Sequence, residues 1–76
     1  MTLIDRTVAR INEEFNNQGN GARITLKNTG KTYAIYASND NTYVITDQLS
    51  IWEKGTMETR VPTIEALAQL IISLNR

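Results

Sequence analysis

The chain has 76 residues, eight basic and eight acidic side chains, and neither cysteine nor histidine. That length holds one domain, 1–76, and one core. The missing residue types exclude disulfides, thiolate or imidazole zinc sites, cysteine nucleophiles and any triad with an imidazole base. Zero formal charge encodes no whole-domain attraction to a phosphate backbone or an anionic membrane.

From residue 2 to about residue 17 the pattern predicts a helix. Ile4, Val8, Ile11 and Phe15 recur at helical steps and stack on one face. Thr2 is placed as N-cap, with Asp5 in the first turn where a carboxylate is favoured. The run Asn16-Asn17-Gln18-Gly19-Asn20-Gly21 ends the helix, because glycine adopts the conformation a helix terminus needs.

The period then switches to two. Ala22, Ile24 and Leu26 alternate with Arg23, Thr25 and Lys27, which marks a half-buried strand. Asn28-Thr29-Gly30 forms a turn, residues 31–37 a second strand, and residues 42–46 a third after the polar turn Ser38-Asn39-Asp40-Asn41. Residues 47–61 fit two descriptions. One is a strand at 49–53 turning at Lys54-Gly55 into another at 56–61; the other is a helical turn with an irregular loop. Strand character is favoured, because Met57, Thr59 and Val61 alternate with Thr56, Glu58 and Arg60. Pro62 stops the strand, Thr63 caps, and a final helix runs from residue 64 to about residue 74 with Glu65 in its first turn.

This order predicts an α+β two-layer sandwich, α-β-β-β-(β-β)-α, an antiparallel meander with both helices on one face. Ile24, Leu26, Tyr33, Ile35, Tyr43 and Ile45 would meet Ile11, Phe15, Leu67 and Ile71. Arg23, Thr25, Lys27, Thr32, Ala34, Tyr36, Thr42, Val44 and Thr46 would line an open, wet face. The element order resembles that of the double-stranded RNA-binding domain, but in order alone. That family grips phosphates with lysines at the start of its last helix. Here that segment reads Val61-Pro62-Thr63-Ile64-Glu65-Ala66-Leu67, with a carboxylate and no lysine, so no residue is carried over.

Three features are candidate binding surfaces. On the open face Tyr36 lies near Arg23 and Lys27, a combination that can stack bases and hold phosphates or be ordinary outward-facing strand chemistry. Leu70 and Ile72 widen the apolar sector of the last helix. Residues two apart on a helix diverge by ~200°, so either the first helix covers the excess or a partner or second copy does. Trp52 lies in the least regular segment, flanked by Ile51 and Glu53, as a binding anchor or as the cap of a small core, and the connecting region 49–60 is where a partner is first sought. Glu13 and Glu14 diverge on their helix, and Asn39-Asp40-Asn41 lacks the spacing, glycine and terminal glutamate of a calcium loop. Gly19-Asn20-Gly21 follows a helix without the lysine of a phosphate loop. No enzyme constellation, cofactor or metal site is therefore expected.

The composition fits a small non-catalytic interaction module, of the style of a phage or mobile-element inhibitor or regulator. Its contacts would be Tyr36, Trp52, Met57 and Leu70, flanked by Arg23 and Lys27, with a protein partner and homo-oligomerisation through the last helix as a further option. The rival is a nucleic-acid binder using the open sheet face or a dimer groove. No basic and apolar leader opens the chain, and no stretch approaches the ~20 apolar residues of a membrane span. A cytoplasmic location without membrane contact is expected.

Overall fold

A computed structural model describes residues 1–19 and 21–76; Asn20, in the run expected to end the first helix, lies outside the described residues. Among these are two helices and four strands: α1 (Leu3–Gln18), β1 (Ala22–Thr25), β2 (Thr32–Ala37), β3 (Tyr43–Thr46), β4 (Glu58–Val61) and α2 (Ile64–Leu74). The strands pair antiparallel in chain order. The α+β meander with helices packed against the sheet is thus the fold that forms.

Both helix starts follow from local chemistry. The Thr2 hydroxyl accepts from the Asp5 N–H at 3.1 Å while the Asp5 carboxylate accepts from the Thr2 N–H at 3.2 Å, a reciprocal cap. The Thr63 hydroxyl accepts from the Ala66 N–H at 3.1 Å. Gly19, with φ of 78°, ends α1, and its N–H donates to the Phe15 carbonyl.

The helices share one side of the sheet, α1 lying over β1 and beside α2, and α2 over β3 and β4. Ile11, Ile24, Leu26, Ile35, Ile45 and Leu67 are completely or almost completely enclosed there. Each such side chain contributes roughly 1.5–3 kcal/mol of transfer free energy. Phe15 and Tyr43 stack with ring centroids 6.3 Å apart at the margin of this core. Leu70 and Ile72 are both half-buried: α1 packs alongside α2 and takes up much of the excess apolar sector.

Two expectations need correction. Of the two optional strands between 47 and 61 only β4 forms, and residues 47–57 are a loop. Side chains there capture backbone groups that a strand ladder would need: the Ser50 hydroxyl accepts from the Trp52 N–H, and the Thr46 hydroxyl from the Gln48 N–H. Nor is the second sheet face fully wet. Ala34, Val44 and Thr46 on it are buried: the loop turns back over the row that holds Ala34 and Thr46, and Val44 stands between its cross-strand partners Tyr36 and Arg60.

Candidate interaction surface

The loop over residues 47–57 is closed at its neck by Asp47. One carboxylate oxygen accepts from the Thr56 N–H at 2.7 Å and the Met57 N–H at 3.1 Å, and the other accepts from the Thr56 hydroxyl. Lys31 Nζ lies 4.0 Å from it. The Thr56 hydroxyl bond first, then the Met57 N–H, the Thr56 N–H and the lysine charge, hold the Asp47 carboxyl down at about 2. Gly55 completes the neck: a Cβ there would stand 2.8 Å from Gln48 Cβ, so the two limbs approach too closely for a side chain. Beneath the neck the Thr46 hydroxyl donates to the Met57 carbonyl at 2.9 Å.

From this neck the loop crosses the sheet. In the cross-strand row Arg23, Ala34, Thr46 and Glu58 stand in register, and Arg23 Nη2 donates to the Leu49 carbonyl at 2.7 Å. The loop therefore reaches from the end of β3 to edge strand β1, with small Ala34 making room below. At the far end, the Glu53 N–H donates to the Ser50 carbonyl at 3.3 Å and closes a turn. Ile51 and Trp52 occupy its two central positions, and both project outward. Ile51 is 84% and Trp52 89% exposed.

Tyr36 flanks the same region. Its ring lies against Gly21, where a Cβ would come within 3.1 Å of the ring edge; Gly21 also has φ of 91°, a conformation suited to glycine. The residue is 39% exposed. Tyr36, Leu49 and Ile51 border one shallow hollow of about 430 Å³ with Glu58 on its rim.

Of the residues singled out in the sequence, the structure thus brings Arg23, Tyr36 and Trp52 to one side of the sheet. Met57 and Leu70 are half-buried and pack against the core. Lys27 departs from the expected open face. β1 ends at Thr25, the Leu26 N–H pairs with the Lys31 carbonyl at the turn, and Lys27 lines a cleft on the helix side, beside α1 and the end of α2. Sequence reasoning took Ile51 only as a flank of Trp52 and missed the neck; Ser50 two residues before Trp52, a turn-forming side chain, is the signal for the tip turn, while the neck, bonded across nine positions, leaves no local signal.

The cations on the loop side are mostly engaged. Besides Arg23, Arg60 donates to the Thr42 hydroxyl at 2.8 Å and pairs with Asp40 at 3.4 Å. The Asp40 carboxyl is lowered, chiefly by the Thr42 hydroxyl and with a smaller contribution from Arg60. Among the described residues no group of three carboxylate, imidazole or thiol side chains could hold a metal ion, and no helix is long and apolar enough to cross a membrane. Compared with known protein families, characterised proteins and solved structures, the chain matches none.

Proposed function

We propose that the protein is a small non-catalytic interaction module that binds a protein partner through the tip of the 47–57 loop, with Ile51 and Trp52 as anchors and Tyr36 and Arg23 beside them. One observation carries this reading: two adjacent large apolar side chains are almost fully exposed at the centre of a turn whose base is fixed by Asp47 and Gly55. Folding leaves them unburied, so their apolar area is still available for association. At roughly 25 cal/mol per Å², the ~200 Å² of a tryptophan would supply on the order of 5 kcal/mol before the costs of association. A turn already held in shape lowers those costs, since little loop ordering remains to be done on binding. Anchors of this kind sit at the centres of interfaces, and binding residues concentrate on loops held by a rigid scaffold.

The mechanism is steric: a preformed tip occupies a recess on the partner and blocks or bridges what that recess would otherwise contact. The rival nucleic-acid reading on this face draws less support. Arg23 and Arg60 already serve the loop carbonyl and Asp40, and Glu58 borders the hollow beside Tyr36.

The test is affinity capture from a host extract with the wild-type chain and with Ile51→Ser/Trp52→Ser, with and without nuclease. The expected result is a nuclease-resistant protein that co-purifies with wild type and is lost from the double variant, whose thermal melt is unchanged. Recovery of nuclease-sensitive nucleic acid alone, or equal capture by the variant, would replace this reading.

A further inference from the structure

We infer that a second surface, the cleft between the first half of α1, the end of β1 and the last turn of α2, is a docking site for an acidic peptide segment studded with apolar side chains. The chain has no net charge, yet its charges are unevenly placed. Arg6, Arg10, Lys27 and Arg76, half of its eight basic residues, line this one cleft, and among the described residues no Asp or Glu side chain lines it. Arg10 is fixed by donating to the Thr25 carbonyl at 3.1 Å. The side chains of Arg6, Lys27 and Arg76 make no hydrogen bond or ion pair among the described residues. The free cations converge from three separated parts of the chain onto a cavity of about 620 Å³.

The floor of the cleft decides what kind of anion it suits. Leu3, 54% exposed, and half-buried Ile72 form an apolar ridge there, and the same two residues border an adjoining hollow with Ile4 and Gln69. Contact can therefore run on from the cleft across both helices. A phosphate backbone would satisfy the cations but leave this ridge uncovered, and among the described residues no aromatic ring lines the cleft for a base to stack on. An acidic segment with interspersed apolar residues satisfies both the cationic rim and the apolar floor, the arrangement expected where a polar rim surrounds an apolar centre. The cleft lies on the helix side of the sheet, so this proposal does not rest on the loop tip.

The test is fluorescence anisotropy with the whole chain and a labelled peptide in which glutamate alternates with leucine. Polyglutamate, a lysine–leucine peptide and a single-stranded oligonucleotide run alongside. Saturable binding of the glutamate–leucine peptide is expected, and neither polyglutamate nor the lysine–leucine peptide should match it. Arg6→Ala/Lys27→Ala should weaken binding roughly tenfold, the combined effect of two exposed charge pairs. Both residues are exposed, and an unchanged thermal melt confirms that the double variant folds. Leu3→Ser should weaken binding several-fold with all charges retained, and Trp52→Ala should leave it unaltered. The inference is overturned by absence of saturable binding, by polyglutamate or oligonucleotide binding as tightly, by indifference to the double variant or to Leu3→Ser, or by loss of binding in Trp52→Ala.

Discussion

The helix-covered face of the sheet is closed by aliphatic side chains from five elements, whereas the opposite face is partly roofed by a single loop tied down through hydrogen bonds. On the first face Ile35 and Ile45 are completely buried under side chains such as Ile11 and Leu67. Their apolar area is used up in folding. On the second, the tie points are Asp47 with Thr56, Thr46 with Met57, and Arg23 with the Leu49 carbonyl, and Ile51 and Trp52 at the tip of the loop face water. Burial makes the first face the seat of stability. Hydrogen bonding fixes the shape of the second without spending its apolar surface, and that surplus is what a partner can use.

The larger loss of stability is expected on the helix side. Ile45→Ala removes a fully enclosed side chain and should cost about 3–4 kcal/mol, most of the stability of a domain this small. Urea unfolding followed by circular dichroism measures it, and a cost below ~1 kcal/mol would mean that this layer is not the seat of stability. On the loop side, Gly55→Ala forces a Cβ to within 2.8 Å of Gln48 Cβ, and a cost of about 1–3 kcal/mol is expected from that overpacking. Neutral behaviour of Gly55→Ala would show that the neck is loose.

The legibility of the two faces in the sequence differs for the same reason. Burial leaves a periodic trace. The spacing from Ile4 to Phe15, the alternation from Ala22 to Ile45 and the caps Thr2 and Thr63 lead to the two-layer fold, with Ile24 and Ile35 enclosed and Tyr36 outside. Hydrogen-bonded loops leave no period. The Asp47–Thr56 contact spans nine positions, so neither the neck nor the burial of Ala34 beneath the loop follows from local pattern. Lys27 continues the alternation in sequence, but pairing stops at Thr25, and the residue passes to the helix side. The basic cleft was equally hidden. Arg6 and Arg10 share a helix face by their spacing, yet nothing local says that Lys27 and Arg76 join them.

Acid should reach the loop through Asp47. Its folded-state carboxyl is lowered to about 2, against about 4 in an unfolded chain. Its contribution is therefore fully present above about pH 4 and is lost as pH falls through about 2. Thermal melts across that window should show a decline that is shallower in Asp47→Asn, because the substitution removes the titration. An identical acid limb in both proteins would show that the carboxylate does not fasten the neck.

The smallest effect on stability, and the sharpest reading of the loop tip, is expected from Trp52. It is the sole tryptophan, and at 89% exposure it contributes almost nothing to the core, so Trp52→Ala should change stability by no more than ~0.5 kcal/mol. The same exposure makes it a reporter. Its emission should resemble that of free tryptophan in water, be quenched freely by iodide, and shift little as urea unfolds the chain, while circular dichroism registers the full transition. Emission already blue-shifted and shielded from iodide in the isolated protein would place the indole against other side chains, and the apolar surplus on which the loop side of the comparison depends would be gone.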